Sequence, residues 1–407
     1  MSILKETKNK IIFILCFFIV SFTAEFFYRD PIFDHSVSTA KKIQDKLSFS
    51  KTFFKYYSHL GIIDVFWVFL IFLFCPISYC YSIFLNYIIS VHLCNFMKLI
   101  YGQGRPFLLD DKDSEEIKKV CEGGFGNPSG HSFESTSMFL SFSQLIIDFL
   151  ELGKKPSIII YSVVAFLILL INFSRVILGA HSFNQVIFGD TIGFTIYFII
   201  FQIIKPHLRK GKIFFERFLN VKYIIFNVIL FFIVIFYIIL GAILFDRDGE
   251  DDYESFRKKL KYLCDYKDNQ ILTRISVFKS LYITGYFGMV FGLNILSNII
   301  KRDFNSRYED ANHYYLNINK KWYVVYGIKF LILLLCYIPF TATLLQPDNI
   351  NINGLYIVGS AVPMFIFGFL LFGPNFIFNF SFRLVNPYIE TPINNNEIEY
   401  ELSEPKN

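Results

Sequence analysis

The sequence predicts an all-α polytopic membrane protein with about ten transmembrane helices. Of its 407 residues, 54% are hydrophobic and 19% aromatic, and the mean hydropathy is +0.45. Such values lie outside the usual range of soluble globular domains. Apolar runs of roughly 17–25 residues, enough to cross a ~30 Å hydrocarbon core, recur along the chain. The predicted spans are 10–28, 60–80, 82–100, 131–150, 157–173, 183–204, 222–245, 276–299, 322–345 and 354–379.

The first span has a positively charged flank and a length that also suits a signal peptide. The sequence after Phe18 offers only a weak cleavage pattern, Val20-Ser21-Phe22-Thr23-Ala24. We therefore expect an uncleaved N-terminal anchor followed by nine further helices, which places both termini on the same side of the membrane.

Lysine and arginine in the short connections predict the orientation, because such residues concentrate on the cytosolic side. With ten helices, one side receives Lys5, Lys8 and Lys10; Lys154 and Lys155; Lys205, Arg209, Lys210 and Lys212; and Lys301, Arg302, Lys320 and Lys321. The opposite, lumenal or external side receives the connections at 101–130 and 174–182 and the acidic stretch at 246–252. The net charge of +5 is thus explained by orientation, and no nucleic-acid partner is predicted.

The seven cysteines show no metal-binding spacing, and we expect no metal and no cofactor. Five of them lie in apolar runs, where a small buried side chain is the ordinary role. Cys121 and Cys264 are the two in predicted lumenal connections, where a disulfide is chemically permitted. Whether they pair is left open.

Three short segments on the predicted lumenal side carry the chemistry. They are Lys98 with Arg105-Pro106, then Pro128-Ser129-Gly130-His131, then Ser174-Arg175 with His181. A phosphoryl group in transfer carries charge on its equatorial oxygens, which an enzyme stabilises with cations and backbone N–H donors. Lys98, Arg105 and Arg175 are the candidate cations, although each alone would be an ordinary membrane-interface residue.

The middle segment is typical of a helix start. Asn127 before Pro128 predicts an N-cap followed by proline at the first helical position. Free N–H groups at such a start bind phosphate, and Gly130 lets the backbone approach closely. His131 is the candidate general acid for the leaving oxygen. His181 is the candidate nucleophile that accepts the phosphoryl group.

These patterns, Lys-x6-Arg-Pro, Pro-Ser-Gly-His and Ser-Arg-x5-His in this order, resemble the three-part signature of the type 2 phosphatidic acid phosphatase and vanadium haloperoxidase superfamily. The resemblance implies His181 as nucleophile and His131 as acid. It implies phosphate binding by Lys98, Arg105, Ser129, Gly130 and Arg175. Ten membrane helices disfavour the soluble haloperoxidase branch.

Within the superfamily, the sequence is most similar to the glucose-6-phosphatase catalytic subunit. Gly102-Gln103 before Arg105-Pro106 resembles that family's Gly-Gln-Arg-Pro, with Gly104 inserted, and 121–126 resembles its Cys-Glu-x-Gly-x-Gly. The resemblance implies nine helices after the anchor and a site facing the endoplasmic reticulum lumen. The expected organisation is an anchor and lumenal segment at 1–59, a phosphatase core at 60–205, C-terminal helices at 206–380 and a cytosolic polar tail at 381–407.

Three acidic or amide residues depart from the commoner pattern. Many lipid-phosphate members have Asp four residues after the nucleophilic histidine, where this sequence has Gln185; glutamine can also accept an N–H bond. Asp190 is about 13.5 Å further along a helix from His181, so we expect it to serve another purpose with its own partner. Glu134, one turn after His131, is expected either to raise the pKa of His131 or to line the substrate entrance.

Three functions follow as hypotheses. The leading one is metal-independent hydrolysis of glucose 6-phosphate or a related sugar phosphate through a phosphohistidine, with Asp110, Asp111 and Glu122 binding hydroxyls and a separate sugar-phosphate transporter as a possible partner. The second is hydrolysis of a membrane lipid phosphate or polyprenyl (di)phosphate, with 107–109 supporting the lipid tail. The third is a non-catalytic phosphate-binding or transport protein. A phosphate release assay with His181→Ala separates them.

Overall fold

The computed structural model describes residues 2–46, 53–54, 57, 71–72, 77–106, 124–205, 217–244, 254, 256, 258, 271–304, 327–328, 330–338 and 355–373. Over these ranges the regular structure is helical throughout, which confirms the predicted all-α membrane fold. Cys121, Cys264 and the tail at 381–407 lie outside the described residues, as does most of the predicted span at 60–80.

Nine α-helices follow one another along the described chain. They are α1 (Ser2–Lys46), α2 (Ile77–Tyr101), α3 (Gly130–Phe149), α4 (Lys154–Ile177), α5 (Phe183–Tyr197), α6 (Val221–Leu244), α7 (Ile271–Ser280), α8 (Thr284–Phe304) and α9 (Leu355–Phe372). A π-helix, Phe198–Ile204, extends α5, and a 3-10 turn, Leu281–Ile283, joins α7 to α8.

Six of the described helical segments are long and apolar enough to cross a membrane, so the predicted count of ten is not confirmed. They are Thr7–Thr39, Tyr79–Tyr101, Lys154–Ile177, Phe183–Ile204, Val221–Leu244 and Ile275–Ile299. Helix α3 fills the predicted span 131–150 but is serine-rich and mostly buried. Helix α9 is a shorter helix within the predicted span 354–379.

Helices α3 and α5 approach closely where the site is built, because two glycines of α5 face the start of α3. A Cβ atom added at Gly189 would lie 2.7 Å from the carbonyl oxygen of Ser129, and one added at Gly193 would lie 2.5 Å from that of Phe133. Small residues are the usual means of bringing membrane helices into backbone contact. The start of α3 is therefore held against the middle of α5.

Helix α1 is longer than the predicted span 10–28 and lies antiparallel along α5. The ring centroids of Phe17 and Phe194 are 5.5 Å apart, and those of Phe22 and Phe188 are 6.2 Å apart. Aromatic pairs at such distances contribute about 0.5–1.5 kcal/mol each beyond burial. The N-terminal helix is thus packed onto the bundle along its length, which an isolated anchor would not be.

A polar cluster joins the helices at the end of the bundle opposite the site. The Lys205 ammonium lies 2.5 Å from a carboxylate oxygen of Asp148 and 4.3 Å above the ring of Tyr79. Gln144 donates to Asp148 (2.8 Å) and accepts from the hydroxyl of Tyr161 (2.6 Å). These contacts connect α2, α3, α4 and the end of the π-helix, and they fix the helices that carry the site.

Candidate active site

The three predicted segments meet where four helices end or begin. Lys98 lies in the last turn of α2, and Arg105 lies in the connection that follows it. His131 is the second residue of α3, Arg175 lies in the last turn of α4, and His181 lies in the turn before α5. Up-and-down connectivity thus gathers all five residues at one end of the bundle.

The ring of His181 is oriented by a backbone carbonyl. Its Nδ1 atom lies 2.9 Å from the carbonyl oxygen of Gly126 and 3.2 Å from Oε1 of Gln185. Both partners are acceptors, so Nδ1 carries the proton. In the neutral ring the lone pair is therefore on Nε2, which is the atom that a nucleophilic histidine uses in this geometry.

The guanidinium of Arg105 faces that lone pair. Its Nη1 atom lies 3.1 Å from Nε2 of His181 and donates to the carbonyl oxygen of Ala180 at 3.4 Å. Its Nε atom donates to the carbonyl oxygen of Gly124 at 3.2 Å. The Arg105 side chain is 2% exposed, and arginine remains charged in proteins. A buried permanent cation is thus fixed beside the candidate nucleophile.

The side chain of Gln185 connects several groups around His181 by hydrogen bonds. Its Nε2 atom donates to the carbonyl oxygen of Gly104 at 2.8 Å and to Oε1 of Gln103 at 3.1 Å. Its Oε1 atom also accepts the N–H of Ser182 at 3.3 Å, which completes a capping box at the start of α5. The amide therefore links the Arg105 segment to the His181 turn through both of its ends.

The start of α3 differs from the prediction. Ser129, and not Asn127, is the N-cap: its hydroxyl accepts the Ser132 N–H at 3.4 Å, and the helix begins at Gly130. A serine hydroxyl in this position satisfies a free helical N–H, so Pro128 precedes the helix instead of opening it. The Ser129 N–H donates to the carbonyl oxygen of Gln185 at 2.9 Å.

Lys98 lies directly beside this helix start. A Cβ atom added at Gly130 would lie 3.6 Å from the Lys98 ammonium nitrogen and 3.7 Å from the Cys94 sulfur. The absence of a side chain at Gly130 therefore leaves space over the N-terminus of α3 beside a cation. A helix N-terminus with a neighbouring ammonium is a suitable environment for a phosphate oxygen.

Arg175 belongs to the same tight turn as His181. The carbonyl oxygen of Arg175 accepts N–H groups from Ala180 at 3.1 Å and His181 at 3.2 Å. Gly179 completes the turn with φ +69°, a left-handed conformation that glycine adopts readily. The Arg175 residue is 3% exposed, so a second arginine is buried beside the turn that carries His181.

His131 and Glu134 mark the more accessible part of the site. Both are half-buried, one turn apart on α3, whereas Lys98, Arg105 and His181 are buried. An acid that serves a leaving group needs such a position, because the departing alcohol must reach the surroundings. The roles of His131 and Glu134 remain predictions.

The C-terminal half of the chain also touches the site. The ring of Phe256 lies 2.8 Å from the position of a Cβ atom on Gly104, and Ser276 of α7 lies 3.7 Å from that on Gly124. Sequence reasoning gave neither residue a role. No local pattern at 256 or 276 indicates these two contacts, because each joins residues that are far apart in the sequence.

Asp190 has the partners that the sequence led us to expect for an intramembrane carboxylate. It accepts a hydrogen bond from the Thr136 hydroxyl at 2.6 Å and one from the Asn172 amide at 2.5 Å. It thereby connects α3, α4 and α5 behind the site.

Among the described residues, no three His, Cys, Asp or Glu side chains are placed to hold a metal ion.

Comparison with known proteins agrees with this geometry. The sequence model of the PAP2 superfamily matches residues 75–209, which contain all three segments. This part of the chain is therefore similar to the PAP2 superfamily. It contains helices α2 to α5 of this integral membrane protein and the connections that carry Lys98, Arg105, His131, Arg175 and His181.

A curated relative is similar to part of the chain. Phosphatidylglycerophosphatase B of Bacillus subtilis (strain 168) is 27% identical over 112 residues, which are 26% of this chain and 54% of the relative. The chain thus spans about half the length of the curated relative it matches. No solved structure matches the chain.

Proposed function

We propose that this protein is a membrane phosphatase that hydrolyses phosphomonoesters through a phosphohistidine at His181. The observation that carries the proposal is the hydrogen bond from Nδ1 of His181 to the carbonyl of Gly126, with Arg105 on the opposite ring nitrogen. This arrangement directs a lone pair toward a permanent cation, where a phosphate is attracted and held in line for attack. The PAP2 match over the same residues supports it.

The proposed reaction has two steps. A phosphoryl group that enters between Arg105 and His181 takes over the guanidinium hydrogen bond and frees Nε2. The Nε2 lone pair forms the N–P bond while the ester P–O bond breaks, and His131 gives a proton to the leaving oxygen. Water then attacks phosphorus and gives its proton to His131 as the N–P bond breaks, which releases inorganic phosphate.

Cations and N–H groups stabilise the charge that develops during both steps. Arg105, Arg175 and Lys98 bind the equatorial oxygens, together with the backbone at Ser129 and Gly130. Removing one such donor from an enzyme typically costs about 10²–10³ in rate. The proposed chemistry uses groups of this chain alone.

For the substrate we favour a lipid phosphate monoester. The curated relative, which is similar to part of this chain, is named as a phosphatidylglycerophosphatase. Helix α1, with most of its surface exposed in a chain that spans the membrane, lies against α5 beside that segment. A lipid could therefore reach the site from the bilayer with its headgroup at the bundle end.

A sugar phosphate such as glucose 6-phosphate is the second candidate substrate. Gln185, in place of the aspartate of many lipid-phosphate members, and the sequence at 121–126 favour it. Residues 107–123, with Asp110, Asp111 and Glu122, lie outside the described residues. If the substrate is a sugar phosphate, we also propose that the site faces the endoplasmic reticulum lumen and that a separate transporter supplies the sugar phosphate.

Phosphate release by the purified protein in detergent tests the proposal. We expect release from phosphatidylglycerophosphate or phosphatidate, persistence with a chelator, and loss in His181→Ala. Release from glucose 6-phosphate alone would select the sugar alternative. Wild-type protein that binds phosphate analogues but releases phosphate from neither class would contradict catalysis and support the non-catalytic hypothesis.

A further inference from the structure

Helix α1 contacts a residue within or beside each of the three motif segments. The guanidinium of Arg29 lies 5.5 Å from the ring centroid of Tyr101, which stands between Lys98 and Arg105. Oε1 of Glu25 accepts a hydrogen bond from the Asn127 amide at 3.0 Å. The Ser36 hydroxyl accepts the N–H of Phe183 at 3.1 Å. These contacts lie on the one helix that the sequence indicated was only an anchor.

We propose that Glu25 positions the turn that carries His131, and that α1 is therefore a working part of the catalytic unit. This inference rests on the proposed function. Glu25 has no contact with a substrate in this account and acts through Asn127, so it is a positioning residue and not a catalytic one.

Burial makes the Glu25–Asn127 contact consequential. Both side chains are 0% exposed, in a helix that is mostly open to its surroundings. An acidic group in a membrane-spanning segment is costly, and such residues normally face a partner with a function. Loss of either partner would leave the other buried side chain without this hydrogen bond. The Glu25 side chain therefore holds the Asn127 side chain in place, two residues before Ser129.

The position of Asn127 transmits this constraint to the site. Gly126, its neighbour, supplies the carbonyl that orients His181 and donates its own N–H to Gln103 at 2.8 Å. Ser129, on its other side, caps the helix whose second residue is His131. A shift of Asn127 would thus move the carbonyl behind the nucleophile and the helix start that carries the acid.

Ser36 and Arg29 set the register of α1 against the site. Ser36 is 1% exposed and also donates to the carbonyl of Ile32 at 2.5 Å. Its hydroxyl oxygen accepts the N–H of Phe183, the first residue of α5, which follows His181 by two positions. Arg29 lies one turn beyond Glu25 and stacks on α2. These two contacts hold against the bundle the part of α1 that follows Glu25.

Steady-state kinetics of the full-length protein test the proposal. We expect Glu25→Ala to lower kcat by about tenfold or more, since small displacements of catalytic groups cost up to about 10²-fold, while KM changes less than about threefold. Glu25→Gln keeps an acceptor for the Asn127 amide and should restore most of the loss. Phe27→Ala, two residues away and 74% exposed, is the matched control with wild-type kinetics.

A double-mutant cycle identifies the partner. If Glu25 acts through Asn127, the pair Glu25→Ala and Asn127→Ala should be no slower than the slower single variant. Effects that multiply, a normal kcat in Glu25→Ala, or a Glu25→Gln variant as slow as the alanine would each overturn the positioning role. If wild-type protein hydrolyses no ester, the proposed function fails by itself.

The placement of α1 can be checked without activity. In membranes, Glu25→Cys combined with Asn127→Cys should be joined by a short bifunctional thiol reagent that replaces the lost side-chain atoms, because a direct disulfide needs closer Cα atoms than a Glu–Asn hydrogen bond guarantees. Phe27→Cys with Asn127→Cys should be joined far less. Equal yields in the two pairs would contradict the contact, whether or not the enzyme is active and whether or not single variants fold poorly.

Discussion

Nη1 of Arg105 lies 3.1 Å from Nε2 of His181, while the carbonyl of Gly126 lies 2.9 Å from Nδ1 of the same ring. The two contacts give the two ring nitrogens of His181 different roles. One nitrogen holds the proton against a fixed acceptor, and the other presents its lone pair to a cation that also suits phosphate. Arg105 and Gly126 both lie in the connection between α2 and α3, whereas His181 lies in the connection between α4 and α5.

Arg105→Lys should lower kcat/KM by about 100-fold or more, the usual loss for one donor to a developing charge. Lysine keeps the positive charge but not the fork that reaches the carbonyls of Gly124 and Ala180. Steady-state kinetics measure the loss. The exposed Arg217 provides the matched control Arg217→Lys, and an Arg105→Lys variant as fast as that control would refute the role of the fork.

Gln185→Glu should slow the enzyme by about tenfold or more although the side chains are nearly isosteric. The amide nitrogen donates to the Gly104 carbonyl and to Gln103, and a carboxylate would place an acceptor against both oxygens, leaving buried groups unpaired. Phosphate release and thermal stability in detergent report the effect. Asn298→Asp adds the same charge at an exposed position and should change neither; a fully active Gln185→Glu would show that the amide donor is dispensable.

Gly126→Ala should destabilise the fold by about 1–3 kcal/mol, the usual cost of an extra methyl group in a packed interior, and reduce activity. Its Cβ atom would lie 2.7 Å from both amide atoms of Gln185 and 2.8 Å from the carbonyl of Gly104. Gly153→Ala is the control, because nothing lies within 4 Å of a Cβ atom there. Thermal unfolding curves that coincide for the two variants would contradict the described packing.

Lys205→Met should lower stability but leave the kcat of the folded enzyme unchanged. The Lys205 and Asp148 side chains are 4% and 16% exposed, and removing one partner of a buried ion pair costs about 3–5 kcal/mol. Adding Asp148→Asn should recover part of the loss, since no carboxylate is then left without its cation. Thermal unfolding and single-turnover rates separate the two quantities; a large fall in kcat would mean that this end of the bundle influences the site.

Helix type and membrane class were predictable because they depend on hydrophobicity averaged over about twenty residues. The segments around Lys98, Ser129 and His181 could also be expected at one end, since an even number of helices, none and then two, separates each from the next. The helix ends were less predictable. Asn127 and Ser129 are both good N-caps, and the packing of Gly189 against Ser129 is a tertiary contact that sequence preference cannot anticipate.

The supporting residues of the site were the harder part. Gly126 and Gln103 belonged only to a sequence resemblance. The contact of the Gly126 carbonyl with His181 and that of the Gln103 side chain with Gln185 were visible only in the structure. Glu25 had a visible signal, a single carboxylate between apolar neighbours. Its partner Asn127 is 102 residues away, and no local pattern joins residues at that separation.

The central claim is that His181 carries the phosphoryl group, and trapping that group tests it most directly. Wild-type protein should be mixed for milliseconds with ³²P-labelled phosphatidate or glucose 6-phosphate and quenched in alkaline detergent, which preserves phosphohistidine. We predict label on the peptide that contains His181, absent from His181→Ala and accumulating in His131→Ala with a substrate whose leaving group needs no protonation. Rapid phosphate release by wild-type protein with no labelled histidine, or with equal release by His181→Ala, would contradict the account.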